Sequence, residues 1–324
     1  MKKVLVTGGA GFIGFHLSQR LAQQGYRVTI LDNLAREYAG DSELESLLAM
    51  DSVRLIRGDI TCRKTFDDIP CDFDSVYHLA AINGTGNFYS IPDEVLKVGT
   101  LGTINLLEWA KQNRETKILY SSSSEAYAGT LGLLGDKFPI PTPEDVPLVI
   151  DTPANVRWSY AVGKILGEVA FGCYAKAHGL TNFVIIRYHN VYGPRMGFSH
   201  VLPQFIERIV QAEDPFQIFG GDETRAFCYV SDAIEATQFL MESDLTRGET
   251  YHVGRDEEIS ITEFAETLFD IAGVAPETVQ RPAFEGSVKR RCPNCDKLAK
   301  LGYVAQTELR TGLQHSFEWY RSKF

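Results

Sequence analysis

The chain has 324 residues, 44% of them hydrophobic and 23% charged, which are ordinary globular values. At roughly 150 residues per domain that length allows about two domains, with a core that needs no disulfide or metal staple. Lys and Arg total 32 against 42 Asp and Glu, a formal net charge of -10 that argues against a nucleic-acid binder tracking phosphates with basic clusters. No apolar stretch approaches the roughly 20 residues of a bilayer span, so no membrane partner is expected. The opening run Val4-Leu5-Val6 breaks at Thr7-Gly8-Gly9, too soon for a secretion signal, and a cytoplasmic protein is expected. In chain order, Lys3–Thr7 reads as a strand, Phe12–Gln24 as a helix and Arg27–Leu31 as a strand. A weaker helix around Ser42–Ala49 and strands at Val53–Arg57 and Ser75–Leu79 follow. A long helix near Glu94–Gln112, a β-rich run at Thr116–Ser121, a helix over Arg157–His178 and a buried strand at Thr181–Tyr188 complete the series. This alternation implies right-handed crossovers and an α/β fold: a doubly wound parallel sheet of Rossmann type over residues 1–187.

After Gly193-Pro194 the elements shorten and mix, with helical signals at Val201–Gln211, Asp232–Glu242, Thr262–Gly273 and Thr307–Trp319. Residues 188–324 are read as a smaller mixed α/β lobe that binds substrate, some of whose segments return to the first domain. The six cysteines are expected as reduced thiols. Cys292 and Cys295 have CxxC spacing, but no second pair completes a zinc site, so no metal is expected and the two are read as coincidental cysteines of a surface segment.

Gly8-Gly9-Ala10-Gly11-Phe12-Ile13-Gly14 lies between the first strand and the first helix, the context that gives a glycine triplet meaning. Gly8 permits the tight turn, Gly11 lets a pyrophosphate approach the helix N-terminus, and Gly14 lets the helix pack on the sheet. Asp32 ends the second strand, where it accepts from an adenosine ribose and repels a 2′-phosphate, favouring NAD over NADP. Asp59 ends the third strand and either reaches the adenine or serves as a plain turn residue. Phe12, Ile13, Asn33, Ile60 and Leu79-Ala80-Ala81 adjoin these positions and complete the expected cofactor set.

Tyr160 and Lys164 stand four apart on one helix face. A phenol titrates near pH 10 in water, and a neighbouring ammonium favours the phenolate, which suits Tyr160 as a base with Lys164 as its partner. Such spacing also occurs by coincidence on surfaces. The serine run Ser121-Ser122-Ser123-Ser124, followed by Glu125, sits at the C-terminal end of a sheet strand, where catalytic groups of open α/β sheets gather, although a serine run is equally a polar turn.

These motifs, together with Arg187-Tyr188-His189-Asn190-Val191-Tyr192-Gly193-Pro194, resemble the extended short-chain dehydrogenase/reductase family, and within it the nucleotide-sugar epimerase/dehydratase branch. The resemblance spans nearly the whole chain. It implies NAD as a tightly held cofactor, a nucleoside-diphosphate sugar as substrate, transient oxidation at the sugar C4, and a homodimer paired through the helices Glu94–Gln112 and Arg157–His178. By position, Ser123 matches the catalytic Ser/Thr, Tyr160 the base and Lys164 its partner. Asn190 and Arg225 match residues that contact the substrate diphosphate, and Val201 joins that set. Without the resemblance, Arg225 reads as a member of a surface ion pair. Gly99 departs from the branch, which often carries an asparagine there.

The residues after Ser123 bear on the reaction. The branch's 4,6-dehydratases carry Asp-Glu where this chain has Ser124-Glu125, and simple 4-epimerases usually lack the carboxylate. Ser-Glu resembles UDP-glucuronate decarboxylases, as do Arg157-Trp158-Ser159-Tyr160 and an arginine near the substrate carboxylate at Arg291. The segment Ala128–Leu134 departs from that group. Decarboxylation is the preferred expectation, with epimerisation, 4,6- or 5,6-dehydration and a non-catalytic NAD-binding sensor as alternatives. Glu125 as an ion-pair member and Arg291 as a diphosphate ligand stay open.

Overall fold

Short β-branched runs buried on both faces, each followed by an amphipathic stretch, set the architecture. The computed structural model describes residues 1–36, 41–283 and 287–324. Its strands are β1 (Lys3–Thr7), β2 (Arg27–Asp32), β3 (Val53–Arg57), β4 (Ser75–His78), β5 (Lys117–Ser123), β6 (Phe183–Tyr188), β7 (Val191–Tyr192), β8 (Phe216–Phe219), β9 (Thr224–Ala226), β10 (Cys228–Tyr229), β11 (Glu249–Val253), β12 (Glu258–Ser260), β13 (Thr278–Arg281) and β14 (Arg290–Arg291). Its helices are α1 (Phe12–Gln23), α2 (Ser42–Leu48), α3 (Thr85–Ser90), α4 (Pro92–Lys97), α5 (Thr103–Ala110), α6 (Ala128–Leu134), α7 (Trp158–His178), α8 (Val201–Val210), α9 (Val230–Glu242), α10 (Ile261–Ala272), α11 (Asp296–Lys300) and α12 (Leu309–Tyr320).

The chain divides into two compact units, one of Met1–Leu133, Leu148–Arg187 and Thr237–Tyr251, the other of Leu134–Pro147, Tyr188–Ala236 and His252–Phe324. The first unit holds a seven-stranded sheet in the order β11-β6-β5-β4-β1-β2-β3. The pairs β1–β2, β1–β4, β2–β3 and β4–β5 are parallel, as the alternating pattern demands. Val4, Leu5 and Val6 are all fully buried, so β1 runs through the centre of the core. On one face Leu5, Val76, Ile118, Leu106, Leu107, Trp109 and Phe171 form a continuous cluster. Burying each such side chain contributes about 1.5–3 kcal/mol.

The helix expected over Glu94–Gln112 is interrupted. Between α4 and α5, Val98–Gly102 forms a π turn. A Cβ on Gly99 would stand 3.1 Å from the Cα of Gly163 on α7, and one on Gly102 would stand 2.3 Å from the Ile60 side chain. The absence of an asparagine at Gly99 therefore has a physical reason, since two backbones meet there. Ala128–Leu134, the segment departing from the decarboxylase pattern, forms a helix whose Gly129 lies against the carbonyl of Val149, where a Cβ would approach to 2.0 Å.

The second unit holds three small sheets, ordered β12-β9-β14, β13-β8 and β10-β7. Its core is a set of interlocking rings in which Phe205 meets Phe216 and Phe227 stacks on Phe264. The helix expected at Thr262–Gly273 forms as α10, with a capping box between Ser260 and Glu263 at its start and Gly273 in the left-handed conformation at its end. All six cysteines are free thiols. Cys292, however, does not belong to a surface segment. It is buried, and its Sγ donates to the carbonyl of Asp256 at 3.3 Å, because the adjoining residues are drawn into the unit by the bridge between Thr142 and Pro293. No group of three or more His, Cys, Asp or Glu suited to a metal occurs among the described residues, and no described helix is long and apolar enough to cross a membrane.

Candidate active site

The strand order reverses at the neighbours β1 and β4, and open α/β sheets bind ligands outside the strand ends at such a point. The glycine loop stands there. Gly8 has a φ of +72°, and a Cβ on it would stand 2.7 Å from the backbone of Ala80. A Cβ on Gly14 would stand 2.0 Å from the Gly8 carbonyl oxygen, so both glycines are fixed by close backbone approach. Gly11 caps α1 and has no side chain to bond the first-turn N–H groups. That leaves the helix end as a cradle for an anion. Asp32 accepts from the amides of Ala10 at 3.0 Å and Leu34 at 2.8 Å, so its carboxylate also braces the loop. Burial pushes the Asp32 carboxyl above its ordinary value, opposed by those two amides. Burial pushes Asp59 up as well, but hydrogen bonds from the Thr61 amide and hydroxyl outweigh it and hold the carboxyl low. Asn33 reaches Asp59 at 3.5 Å, and the carbonyl of Ile60 accepts from Asn105 at 2.9 Å. Phe12 and Ile13 open α1, while the Leu79 amide donates to Thr7 at 3.1 Å and Ala81 packs beside Tyr160 and Phe88. These residues fit a dinucleotide: the close backbone packing at Gly8 and Gly14 holds the loop against the start of α1, where the helix N-terminus can receive a pyrophosphate.

The groups expected to carry the chemistry lie along one stripe of α7 and at the end of β5. Ser123 is the last residue of β5, and its side chain adjoins the Tyr160 phenol and favours its ionised form. The Ser123 Oγ also accepts from the Glu125 amide at 3.2 Å, which turns the chain into the short helical segment Ser124–Tyr127. Ser124 is buried in that turn. Lys164 donates to the Ser121 carbonyl at 2.6 Å and lies 5.4 Å from the centre of the Tyr160 ring. Phe88 stacks on Tyr160 with ring centres 5.1 Å apart and holds the phenol in place. Glu125 stands 3.8 Å from Arg157, the residue before α7, and both are largely withdrawn from solvent.

The electrostatics differ from the expectation drawn from spacing alone. Burial pushes the Tyr160 phenol up, opposed by the Ser123 hydrogen bond and reinforced by Glu125. Burial also pulls Lys164 down to about 7, opposed by Glu168. Desolvation therefore dominates at both groups, because a buried charge has lost its hydration.

The second unit carries the residues expected at the diphosphate. Asn190 adopts a left-handed φ of +39° and donates to the Ala226 carbonyl at 3.2 Å. Val201 is the first residue of α8. Arg225 and Arg291 are register partners on the parallel strands β9 and β14, so their side chains project from the same sheet face on adjacent strands. Arg225 also pairs with Glu223 at 2.9 Å and is only 16% exposed, a partly buried pair rather than a surface one.

Several groups escape sequence reasoning. His78 at the end of β4 bridges Thr7 at 2.7 Å and Thr103 at 3.1 Å, and burial lowers it to about 3, so it is neutral. Glu168 and Arg187 form a buried bidentate pair. The helical spacing of Tyr160, Lys164 and Glu168 was the available signal for Glu168. Nothing local marks Arg187.

Comparison with known proteins agrees with this geometry. The family model described as "NAD dependent epimerase/dehydratase family" matches residues 4–254. A UDP-N-acetyl-alpha-D-glucosaminuronate decarboxylase of Bacillus cytotoxicus is 32% identical over 99% of this chain and 98% of that protein. UDP-glucuronic acid decarboxylase 6 of Arabidopsis thaliana is 32% identical over 98% of this chain and 89% of that protein. The solved structure of a UDP-glucuronic acid 4-epimerase variant from Bacillus cereus, in complex with NAD and a fluorinated UDP-glucuronic acid, superposes with a TM-score of 0.86 at 28% identity, covering 99% of this chain and 100% of that one. With a family match over more than half its length, a dinucleotide cradle and the Ser123–Tyr160–Lys164 set on one unit, this chain belongs to the NAD-dependent epimerase/dehydratase family and is an NAD-dependent enzyme.

Proposed function

We propose that the enzyme converts a UDP-linked uronate sugar, such as UDP-glucuronate, to its decarboxylated product through a 4-keto intermediate. The observation that carries this reading is the Ser124–Glu125 turn at the end of β5, set beside Ser123 and Tyr160 and paired with Arg157. The names of the two decarboxylase relatives support it. Bound NAD supplies the hydride acceptor and donor at C4. Its holders are Gly8, Gly11, Phe12, Ile13 and Gly14, then Asp32, Asn33, Asp59 and Ile60, and finally Leu79, Ala80, Ala81, Tyr160 and Lys164.

Tyr160 takes the proton of the C4 hydroxyl, and Ser123 aligns that oxygen. Lys164 in its protonated form favours the phenolate and holds the nicotinamide ribose. The resulting ketone stands β to the C6 carboxylate, so the C5–C6 bond breaks, carbon dioxide leaves and its bonding electrons pass into an enolate. Glu125, assisted by Ser124, returns a proton to C5. Asn190, Val201 and Arg225 recognise the nucleoside diphosphate from the second unit, which acts as the substrate lobe. Arg291 reads the carboxylate.

A second reading rests on the register of Arg225 with Arg291. Two guanidiniums on one face suit a diphosphate, and with Arg291 so engaged the chemistry reduces to inversion at C4. Incubation with UDP-glucuronate labelled with ¹³C at C6 separates the two. Release of labelled bicarbonate is expected, and label retained in a C4-inverted sugar supports the second reading. We further infer a homodimer paired through α4, α5 and α7, where Leu96, Leu101, Leu166 and Val169 are exposed. The six free thiols fit a reducing cytoplasmic setting.

A further inference from the structure

Tyr160, Lys164 and Glu168 follow one another at intervals of four along α7, so they form one stripe facing the sheet. Glu168 accepts from Arg187 Nε at 2.8 Å and from Arg187 Nη2 at 2.6 Å, a bidentate pair from β6 with side chains 10% and 7% exposed. The same carboxylate accepts from the Ser122 hydroxyl at 2.5 Å. Arg187 in turn donates to the Tyr127 hydroxyl and lies 5.0 Å above the Tyr127 ring. Ser122 immediately precedes Ser123, and Tyr127 closes the turn that carries Ser124 and Glu125. One carboxylate thus ties the helix of Tyr160 and Lys164 to both ends of the strand-end segment. A buried pair of this kind is weak evidence for stability, because desolvation offsets much of the attraction, so its placement calls for another explanation.

We propose that Glu168, held by Arg187, is a positioning residue of the reaction: it keeps the buried Lys164 protonated and fixes the Ser122–Tyr127 segment against α7. This rests on the reading of Lys164 as the partner of Tyr160. The groups that face Lys164 are otherwise poor at holding its charge. Tyr120 of β5 presents its ring at 5.4 Å, Tyr160 presents another at 5.4 Å, and the Ser121 carbonyl accepts one hydrogen bond. His78 of β4 is neutral, and Arg187 carries a like charge. Glu168 is the acid that supports the lysine's proton against burial, and the balance of the two leaves the lysine at about 7. Activity that needs the ammonium falls as pH rises through that value, and removing the Glu168 charge moves the fall to lower pH.

The test uses the NAD-saturated enzyme with lysine labelled by ¹³C at Cε, the Lys164 signal being assigned with Lys164→Met. In Glu168→Gln the Lys164 midpoint is expected to drop by roughly one pH unit, the scale of one charge at close range. The alkaline limb of kcat is expected to move with it at little change in KM, and Glu168→Asp is expected to recover most of the shift. An unmoved Lys164 midpoint, with activity lowered equally at every pH, would overturn the proposal and leave Glu168 a structural residue. If Glu168→Gln fails to fold, the double variant Glu168→Gln/Arg187→Met is compared with Arg187→Met, so that the drop in the Lys164 midpoint is read between two proteins that both lack the Arg187 charge. Retained activity in Lys164→Met would defeat the Tyr160–Lys164 reading itself, while the NMR midpoint would still decide whether Glu168 holds the proton.

Discussion

The helix stripe of the first unit and the arginine row of the second place charge in opposite ways. Tyr160 and Lys164 are buried to 9% and 4% exposure, on one continuous helix, with their acid and base values displaced by desolvation. Arg225 and Arg291 stand on strands of three and two residues, partly exposed, with Glu223 and Ser287 as acceptors beside Arg225. Groups that move protons gain from a dry setting in which small changes in neighbours shift their titration. Groups that grip an anion need only geometry and charge, which a partly exposed sheet face provides. On the proposed reading burial separates chemistry from recognition, and substitutions in the two regions should differ in kind.

The largest effect is expected at the stripe. Tyr160→Phe should lower kcat roughly a hundredfold to ten-thousandfold, the usual range for removing a general acid–base, with KM and NAD binding retained. In the arginine row, Arg225→Ala should raise KM about tenfold to a hundredfold, the equivalent of losing a charge-assisted hydrogen bond of about 1.5–3 kcal/mol, with kcat much less affected. Arg291→Ala sharpens the contrast when UDP-glucuronate is compared with UDP-glucose. Weaker binding of both marks a diphosphate ligand, and loss confined to the uronate marks a carboxylate ligand. Gly14→Ala forces a methyl toward the Gly8 carbonyl, with a destabilisation of about 1–3 kcal/mol and weakened NAD binding in titration calorimetry.

The smallest effect concerns a lysine outside both regions. Lys117 donates to the carbonyls of Leu240 and Ser243 and to the Thr246 hydroxyl, at the end of α9. Burial lowers it to about 8. The folded state therefore holds this proton less tightly than the unfolded chain, whose lysines titrate near pH 10.4. Its contribution is lost as pH falls through 8 and grows as pH rises toward 10. The difference in Tm between wild type and Lys117→Met, measured at pH 7.5 and 9.5, should shift in favour of wild type at the higher pH.

What the sequence reveals follows the range of the interactions. The glycine loop is legible because Gly8, Gly11 and Gly14 answer to a turn and a helix start within seven residues. Tyr160 and Lys164 are legible because one helix sets their spacing. Glu168 continues that spacing, but a glutamate on a helix is ordinarily solvated, and only the arrival of Arg187 from β6 makes it a buried acid. The π turn at Val98–Gly102 depends on Gly163, some sixty residues later in the chain. The strands β9, β12 and β14 have two or three residues each, too short for an alternating pattern, and exist through pairing between distant segments. Cys292 looked superficial because nothing near it in sequence announces the Thr142–Pro293 bridge.

If the Ser123–Glu125 turn and the Tyr160–Lys164 stripe together drive oxidation at C4 and reprotonation of C5 after carboxylate loss, solvent hydrogen enters the product at C5. Proton NMR of the enzyme incubated with NAD and UDP-glucuronate in deuterium oxide tests it most directly, with UDP-N-acetylglucosaminuronate as a parallel substrate. The expected product has lost C6 and carries one deuterium at C5, formed stereospecifically by wild type and more slowly by Glu125→Gln. A C4-inverted uronate that keeps its carboxylate and its C5 proton would contradict it.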